Sequence, residues 1–413
     1  MLKKFLVLIV CVVFLLFWLL WPVYQFYAHK GEAAFLPWGE LDIPDNAEQS
    51  QLVYDAKFSQ VATMAINKLE AHHKTINAPG MSAAIGIDGK LVWAGAVGWA
   101  DIEQAVPVSI DTQFRVGSTS KAITATGLAR LLDQHLIDLD APISQFHHVL
   151  PNAQWQQIKV KQLASHMSGL PHYKQFDDKL GLYKSIALTT HYSDVNDALE
   201  VFNETRLIFG PGSQFSYSTY GTVLLSAVMQ EAAGQPFLAL MQEQVFTPLE
   251  LNHTGDESKF EGQGTLANFY WNDGGKSQKV RVWRDVDLSH RLAGGGFVST
   301  SSDLVRLGNA YFNEQFISSQ TKQKMWTPQR LLNGEVNPQN YGIGWRVDHM
   351  LVGEKTVSYM HHGGVSRGAQ SLLVLIPEYQ LSIAININAK TDNFRSFSKI
   401  WKELAISFIK ASE

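Results

Sequence analysis

Strand-like runs at both ends of a long helix-rich stretch dictate how this sequence can fold. Residues 82–88 and 91–97 flank an aspartate-glycine turn at Asp88-Gly89 and predict an antiparallel hairpin. Residues 371–376 and 381–386 repeat the pattern around Pro377-Glu378-Tyr379-Gln380. Between them helical periodicity dominates, so the sheet must be completed by segments distant in sequence. This predicts an α+β body with a mainly helical insertion over roughly residues 125–290. Val53, Phe58, Val61, Met64, Ala65 and Leu69 predict an outer amphipathic helix over 51–75. Phe397, Ile400, Trp401, Leu404, Phe408 and Ile409 predict another at the carboxy terminus.

Ahead of this body, residues 5–21 read FLVLIVCVVFLLFWLLW without a charge, and Pro22, Val23 and Tyr24 extend the run to about 20 residues, enough to cross a bilayer. Lys3 and Lys4 precede it, and Trp18, Trp21, Tyr24 and Tyr27 crowd its far end. That asymmetry predicts a single-pass protein with a cytoplasmic amino terminus and its body on the far, periplasmic side. A cleaved secretory signal is the alternative, but Phe26-Tyr27-Ala28 puts a bulky ring where cleavage needs a small side chain. The chain therefore divides into an anchor (1–30), a Pro- and acid-bearing linker (31–50) and one body (51–412), with the lipid bilayer as partner of residues 5–24.

Charge narrows the function. The 34 Lys and Arg against 38 Asp and Glu give −4 without a block of like charge, which excludes the basic footprint of nucleic-acid binding. The single cysteine, Cys11, lies in the apolar run, so no internal disulfide or paired-cysteine zinc site can form. His72-His73 and His147-His148 lack carboxylate or cysteine companions at ligand spacing, and no metal is expected. Neither G-x-S-x-G, H-E-x-x-H nor a phosphate-binding G-x-x-x-x-G-K-[ST] occurs.

Three patterns carry chemistry. Residues 114–136 place Ser118 near the start of a predicted helix with Lys121 three residues on. Side chains at i and i+3 share a helix face, so the amine can reach the hydroxyl. It can accept the serine's proton only when neutral, which needs burial or a cationic neighbour to lower its pKa from about 10.4. Alone, S-x-x-K is more often a cap followed by a solvated lysine, and Ser120 caps equally well. Residues 211–235 put Tyr217 on a loop between a Pro-Gly turn and a helix. Beside a lysine ammonium its phenol would ionise more readily and pass a proton to a leaving group. Residues 359–369, YMHHGGVSRGA, precede the final hairpin and read as an edge strand that a ligand backbone can approach closely.

In that order, S-x-x-K, Tyr-Ser-x and His-x-Gly resemble the class C β-lactamase, D-alanyl-D-alanine peptidase and esterase family. GWADIEQAVPVSIDTQFRVGSTSK, IKVKQLASHMSGLPHY and LAGGGFVSTSSDLVRLG agree, and the resemblance spans roughly residues 75–390. It implies the β-lactamase/transpeptidase-like fold, an antiparallel sheet flanked by terminal helices beside a helical domain with the cleft between. It further implies Ser118 as the acylated nucleophile, Lys121 as its base, Tyr217 as second proton carrier, and an oxyanion hole from the N–H groups of Ser118 and Gly364. Substrate contacts would come from Thr219, His361 and Gly363, with no cofactor. Thr219 stands where β-lactamases usually place an asparagine, and His361 where many carry a lysine. Both departures favour a peptide or ester, as a small-molecule or peptide substrate, over a β-lactam. A true β-lactamase and a non-catalytic peptidoglycan or β-lactam sensor or assembly module stand as alternatives, and the resemblance leaves oligomer formation open.

Overall fold

Asp88 and Gly89 both take left-handed backbone angles, φ 51° and 74°, as a type I′ turn requires, and close the first predicted hairpin. The computed structural model, which describes residues 2–36, 38–46, 48–173, 175 and 178–413, begins with α1 (Leu2–Ala28), β1 (Gln49–Val53), α2 (Ser59–Thr75), β2 (Gly80–Ile87) and β3 (Lys90–Asp101). The middle of the chain supplies α3 (Ser120–Asp133), α4 (Lys179–Ala187), α5 (Thr219–Ala233) and α6 (Ser301–Asn309). Last come β4 (Arg346–Val352), β5 (Lys355–Ser366), β6 (Ala369–Ile376), β7 (Leu381–Ile387) and α7 (Ile400–Ser412). Strands from the two ends make one antiparallel sheet, β4-β5-β6-β7-β2-β3-β1, with Val106–Pro107 added beside β3. The join is the β7–β2 pairing of Leu381–Ile387 with residues 81–87. The fold is thus the α+β arrangement read from the sequence.

Period-two alternation sorts the core. Ile85, Ile87, Ile383 and Ile385 face the layer made by α2 and α7, while Ala84 and Ala384 face the helical side. Small side chains on that second face let α6 lie close to the sheet, where the hydroxyls of Ser82 and Ser301 meet at 2.7 Å.

Three expected boundaries move. Residues 49–53 pair as β1 with residues 93–97, so the outer helix starts only at Ser59, after a turn capped by Asp55. The linker 31–50 is no free spacer: Leu41–Asp42 pairs with Val280 and Lys279, Phe35 packs on Trp271 at 4.4 Å, and Arg281 donates to the Trp38 carbonyl. Its apolar side chains would otherwise stand in water. Helices continue from Ser120 to Trp326, interrupted by short strands over 255–299, so the insertion is longer and less purely helical than 125–290.

The apolar helix α1 leaves its side chains exposed from Lys3 through Leu20, apart from a half-covered Leu19, and then buries Phe26 and Ala28 against the body. Tyr183 of α4 fixes that junction by donating its hydroxyl to the Leu19 carbonyl at 3.0 Å. On the opposite terminal helix Leu404 is fully buried against the sheet layer. Leu404→Ala should therefore cost about 2–5 kcal/mol, read as an earlier denaturant midpoint at unchanged slope. An unchanged midpoint would show that α7 does not stabilise the sheet.

Candidate active site

A left-handed Gly117 (φ 51°) opens the turn 117–119 that leads into α3. A Cβ there would meet the Val365 backbone at 2.7 Å, and a Cβ on Gly364 would lie 1.9 Å from the Val116 carbonyl oxygen. The two glycines let the turn press directly against β5. Ser118 is half-buried at this contact, ahead of a helix whose residues 120–129 are all buried.

Lys121 is 2% exposed. Its Nζ lies 3.4 Å from Ser118 Oγ, 3.2 Å from Thr219 Oγ1 and 2.5 Å from the Gly294 carbonyl oxygen. Burial first, then the charges of Arg346 and Arg291, push its pKa well below the ordinary lysine value. Among the described residues no carboxylate opposes that shift. A neutral amine keeps two N–H groups and a lone pair, so it can donate to Gly294 and still accept the Ser118 hydroxyl proton.

Tyr217 faces the same amine, which stands 4.8 Å from its ring centroid. The hydroxyl is buried without a hydrogen-bond partner among the described residues. Burial raises its pKa to about 12, against the lowering influence of Arg346 and the nearby Ser118. The phenol therefore does not ionise more readily, contrary to expectation, because burial outweighs the lowering influence of its neighbours. At neutral pH it is an acid.

Two histidines without a role in the sequence reading hold this loop. His166, itself at a left-handed φ of 62°, packs its ring at a tilt against Tyr217 at 4.2 Å and accepts the Ser218 N–H on Nδ1 at 3.3 Å. His172 accepts the Thr219 N–H at 3.3 Å. Burial keeps both neutral, His166 far below its usual value and His172 at about 3. The SHMSGLPHY stretch was their only trace in the sequence. Arg346 left none; it lies over the rings of Tyr217 and Tyr341 at 5.4 and 5.3 Å, with Gln339 Oε1 accepting from its Nε and Nη2 at 3.1 and 2.8 Å.

The register of β5 moves two expected residues. Two-residue turns close both its ends, pairing Val352 with Lys355 and Ser366 with Ala369. A hairpin's closing pair exchanges its backbone hydrogen bonds, and their direction then alternates along the strand. From either end, residues 361, 363 and 365 turn their backbone groups towards β4, and 362 and 364 towards β6. Since β4 stops at Arg346 opposite His361, Gly363 and Val365 face an open edge beside Ser118. The N–H there belongs to Val365, whereas Gly364, the expected donor, turns its own to Ser371.

Side chains alternate likewise. His361 points to the outer face, 2.9 Å from Asp348 Oδ2 and stacked on Tyr359 at 5.2 Å, away from the site. Its fully buried neighbour His362 faces the site, with Nδ1 2.9 Å from the Gly363 carbonyl and Nε2 2.9 Å from the Tyr341 hydroxyl. A carbonyl only accepts, so Nδ1 carries the proton and Tyr341 donates to Nε2. Burial, then the charge of Arg346, hold this imidazole neutral. Thr219, expected to meet substrate, is 1% exposed and turns its hydroxyl to Lys121.

With this geometry in view, the β-lactamase family model matches residues 66–406. The chain belongs to the β-lactamase family of serine hydrolases. Mouse "Serine beta-lactamase-like protein LACTB, mitochondrial" is 27% identical over 80% of this chain and 75% of its own length. "Penicillin-binding protein 4*" of Bacillus subtilis is 23% identical over 74% of this chain and 67% of its own. The D-amino acid amidase of Ochrobactrum anthropi SV3, solved with D-phenylalanine, shares the fold, with a TM-score of 0.67 at 23% identity over 86% of this chain and 99% of that one.

Three variants of this β-lactamase-family site separate its parts. Val365→Pro removes an N–H from an open edge, which strands tolerate, so the protein should fold yet acylate about 10²–10³-fold more slowly. Gly364→Pro should instead break the β5–β6 ladder; equal acylation by Val365→Pro and wild type would place the donor elsewhere. Lys121→Met should slow acylation about 10²–10⁴-fold and raise the denaturation midpoint at neutral pH. The unfolded chain binds a proton on Lys121 that the folded one does not, so wild-type stability climbs with pH and the gap to the Met variant narrows as pH nears 10.5. A gap constant with pH would mean a charged amine in the fold.

Proposed function

We propose that the chain is a membrane-anchored serine hydrolase that works through an acyl-enzyme on Ser118 and takes a peptide or ester. The observation that carries this reading is the Lys121 amine, buried, without a carboxylate among the described residues, and 3.4 Å from the Ser118 hydroxyl. Ser118 Oγ attacks the substrate carbonyl while Lys121 takes its proton. The N–H groups of Ser118 and Val365 hold the developing oxyanion, a contribution of about 3 kcal/mol from each such donor. Tyr217 gives its proton to the leaving group and regains one from the Lys121 ammonium. Water then enters, losing a proton along the same path, and the acyl group leaves as an acid while Ser118 is reprotonated. Thr219 and the Gly294 carbonyl position the amine, and the Gly363 backbone offers the open edge to the substrate chain.

The anchor rests on α1. Its exposed apolar length, the lysines before it and the aromatic residues at its covered end support a span with a cytoplasmic amino terminus and the body on the far side. A β-lactam is the weaker substrate, because the neutral His362 stands on the site face of β5 and offers its carboxylate no charge.

The test uses full-length protein in nonionic detergent, treated with a fluorophosphonate and separately with labelled penicillin. Fluorophosphonate labelling that vanishes in Ser118→Ala, without penicillin labelling, is expected. Rapid destruction of penicillin would make the enzyme a β-lactamase, and equal labelling of wild type and Ser118→Ala would remove the nucleophile.

A further inference from the structure

A cavity of about 400 Å³ adjoins the reaction centre and shares Val365 with it. Lys30, Arg291, Arg367 and Lys390 stand on its wall, and none of its described lining residues is acidic. Arg291 is 5% exposed; its Nη1 donates to the Tyr173 hydroxyl at 3.1 Å, while Nε and Nη2 are buried without partners among the described residues. The Arg367 guanidinium stacks on the Phe26 ring at 4.8 Å and makes no hydrogen bond or ion pair among the described residues. Their neighbour Arg115 shows the contrast. It donates to the Arg367 carbonyl oxygen at 3.0 Å, and Glu257 answers its charge with two contacts of 2.7 and 2.6 Å.

Buried guanidinium N–H groups without acceptors are costly, and their planar fork matches a carboxylate or phosphate. Burial and the neighbouring arginines press the Arg367 pKa down to about 9, which still leaves it charged at neutral pH. The cavity lies close to the nucleophile: a Cβ built on Gly295 would sit 3.8 Å from the Gly117 carbonyl carbon and 3.9 Å from Arg291 Cδ. Tyr217, which serves the leaving group, is not on its wall. The space therefore receives the acyl side of the substrate.

We propose that Arg291 and Arg367 bind an anionic group, carboxylate or phosphate, at the far end of the substrate's acyl chain, so that Ser118 is acylated by an anion-tailed acyl group. This rests on the acyl-enzyme reading above. Three 4-nitrophenyl esters test it on the full-length enzyme in nonionic detergent: the half ester of adipic acid, its neutral methyl ester, and 5-phosphonopentanoate. At least one charged ester should exceed the neutral one in kcat/KM by about tenfold or more, and Arg367→Gln should erase that ratio while Arg367→Lys keeps part of it. The better of the two charged esters identifies the anion. In the unsubstituted enzyme, glutarate should inhibit turnover of the neutral ester and glutaramide should not, a readout that needs no variant to fold. Equal kcat/KM for charged and neutral esters, a ratio untouched by Arg367→Gln, or equal inhibition by glutarate and glutaramide overturns the proposal and leaves the Ser118 reading standing. Failure to turn over any ester, with no fluorophosphonate labelling of Ser118, brings down both.

Discussion

A buried lysine amine, with no carboxylate beside it among the described residues, governs the rest of this structure. Charged, it would need an acid beside it; neutral, it needs a carbonyl to take one N–H and a hydroxyl to meet its lone pair. Gly294 and Ser118 supply these, Thr219 adds a third contact, and the cations of Arg346 and Arg291 oppose protonation. Burial keeps Tyr217 protonated and, together with the Arg346 charge, holds His362 neutral. One proton placed on Lys121 would alter the state of each neighbour.

Topology brings these groups together. Ser118 follows the amino-terminal hairpin and Val365 lies near the end of the chain, yet the β7–β2 join holds both parts in one sheet. The contact between Gly117 and β5 then becomes a local matter of two missing side chains. Stability and chemistry are coupled here, since the strands that bury the isoleucine layer are continuous with the strand that frames the reaction centre.

Much of this was legible in sequence wherever the signal was local. The two hairpins, the terminal helices and the Ser118–Lys121 pair follow from alternation, turn residues and helical spacing. The HHGG run was harder. Its residue types were right, but a strand has period two, and without the lengths of the flanking turns nothing says which histidine faces inward; a slip of one residue exchanged His361 for His362 and Gly364 for Val365. The sign of the Tyr217 shift depended on burial, which a sequence does not state. Arg291 and Arg346 were invisible because each is a lone arginine in an ordinary context, and only the fold sets them beside residues 118 and 217. The linker misled for the opposite reason: its prolines and acids hide apolar side chains that dock.

The junction of α1 with the body has a consequence for handling the protein. Phe26 lies beneath the Arg367 guanidinium, and Tyr183 grips the backbone at Leu19. Were α1 to lie in a bilayer, as proposed above, these contacts would keep the body from swinging on a tether. A soluble truncation that discards the first thirty residues is consequently not neutral surgery, because it opens one wall of the chamber beside the nucleophile.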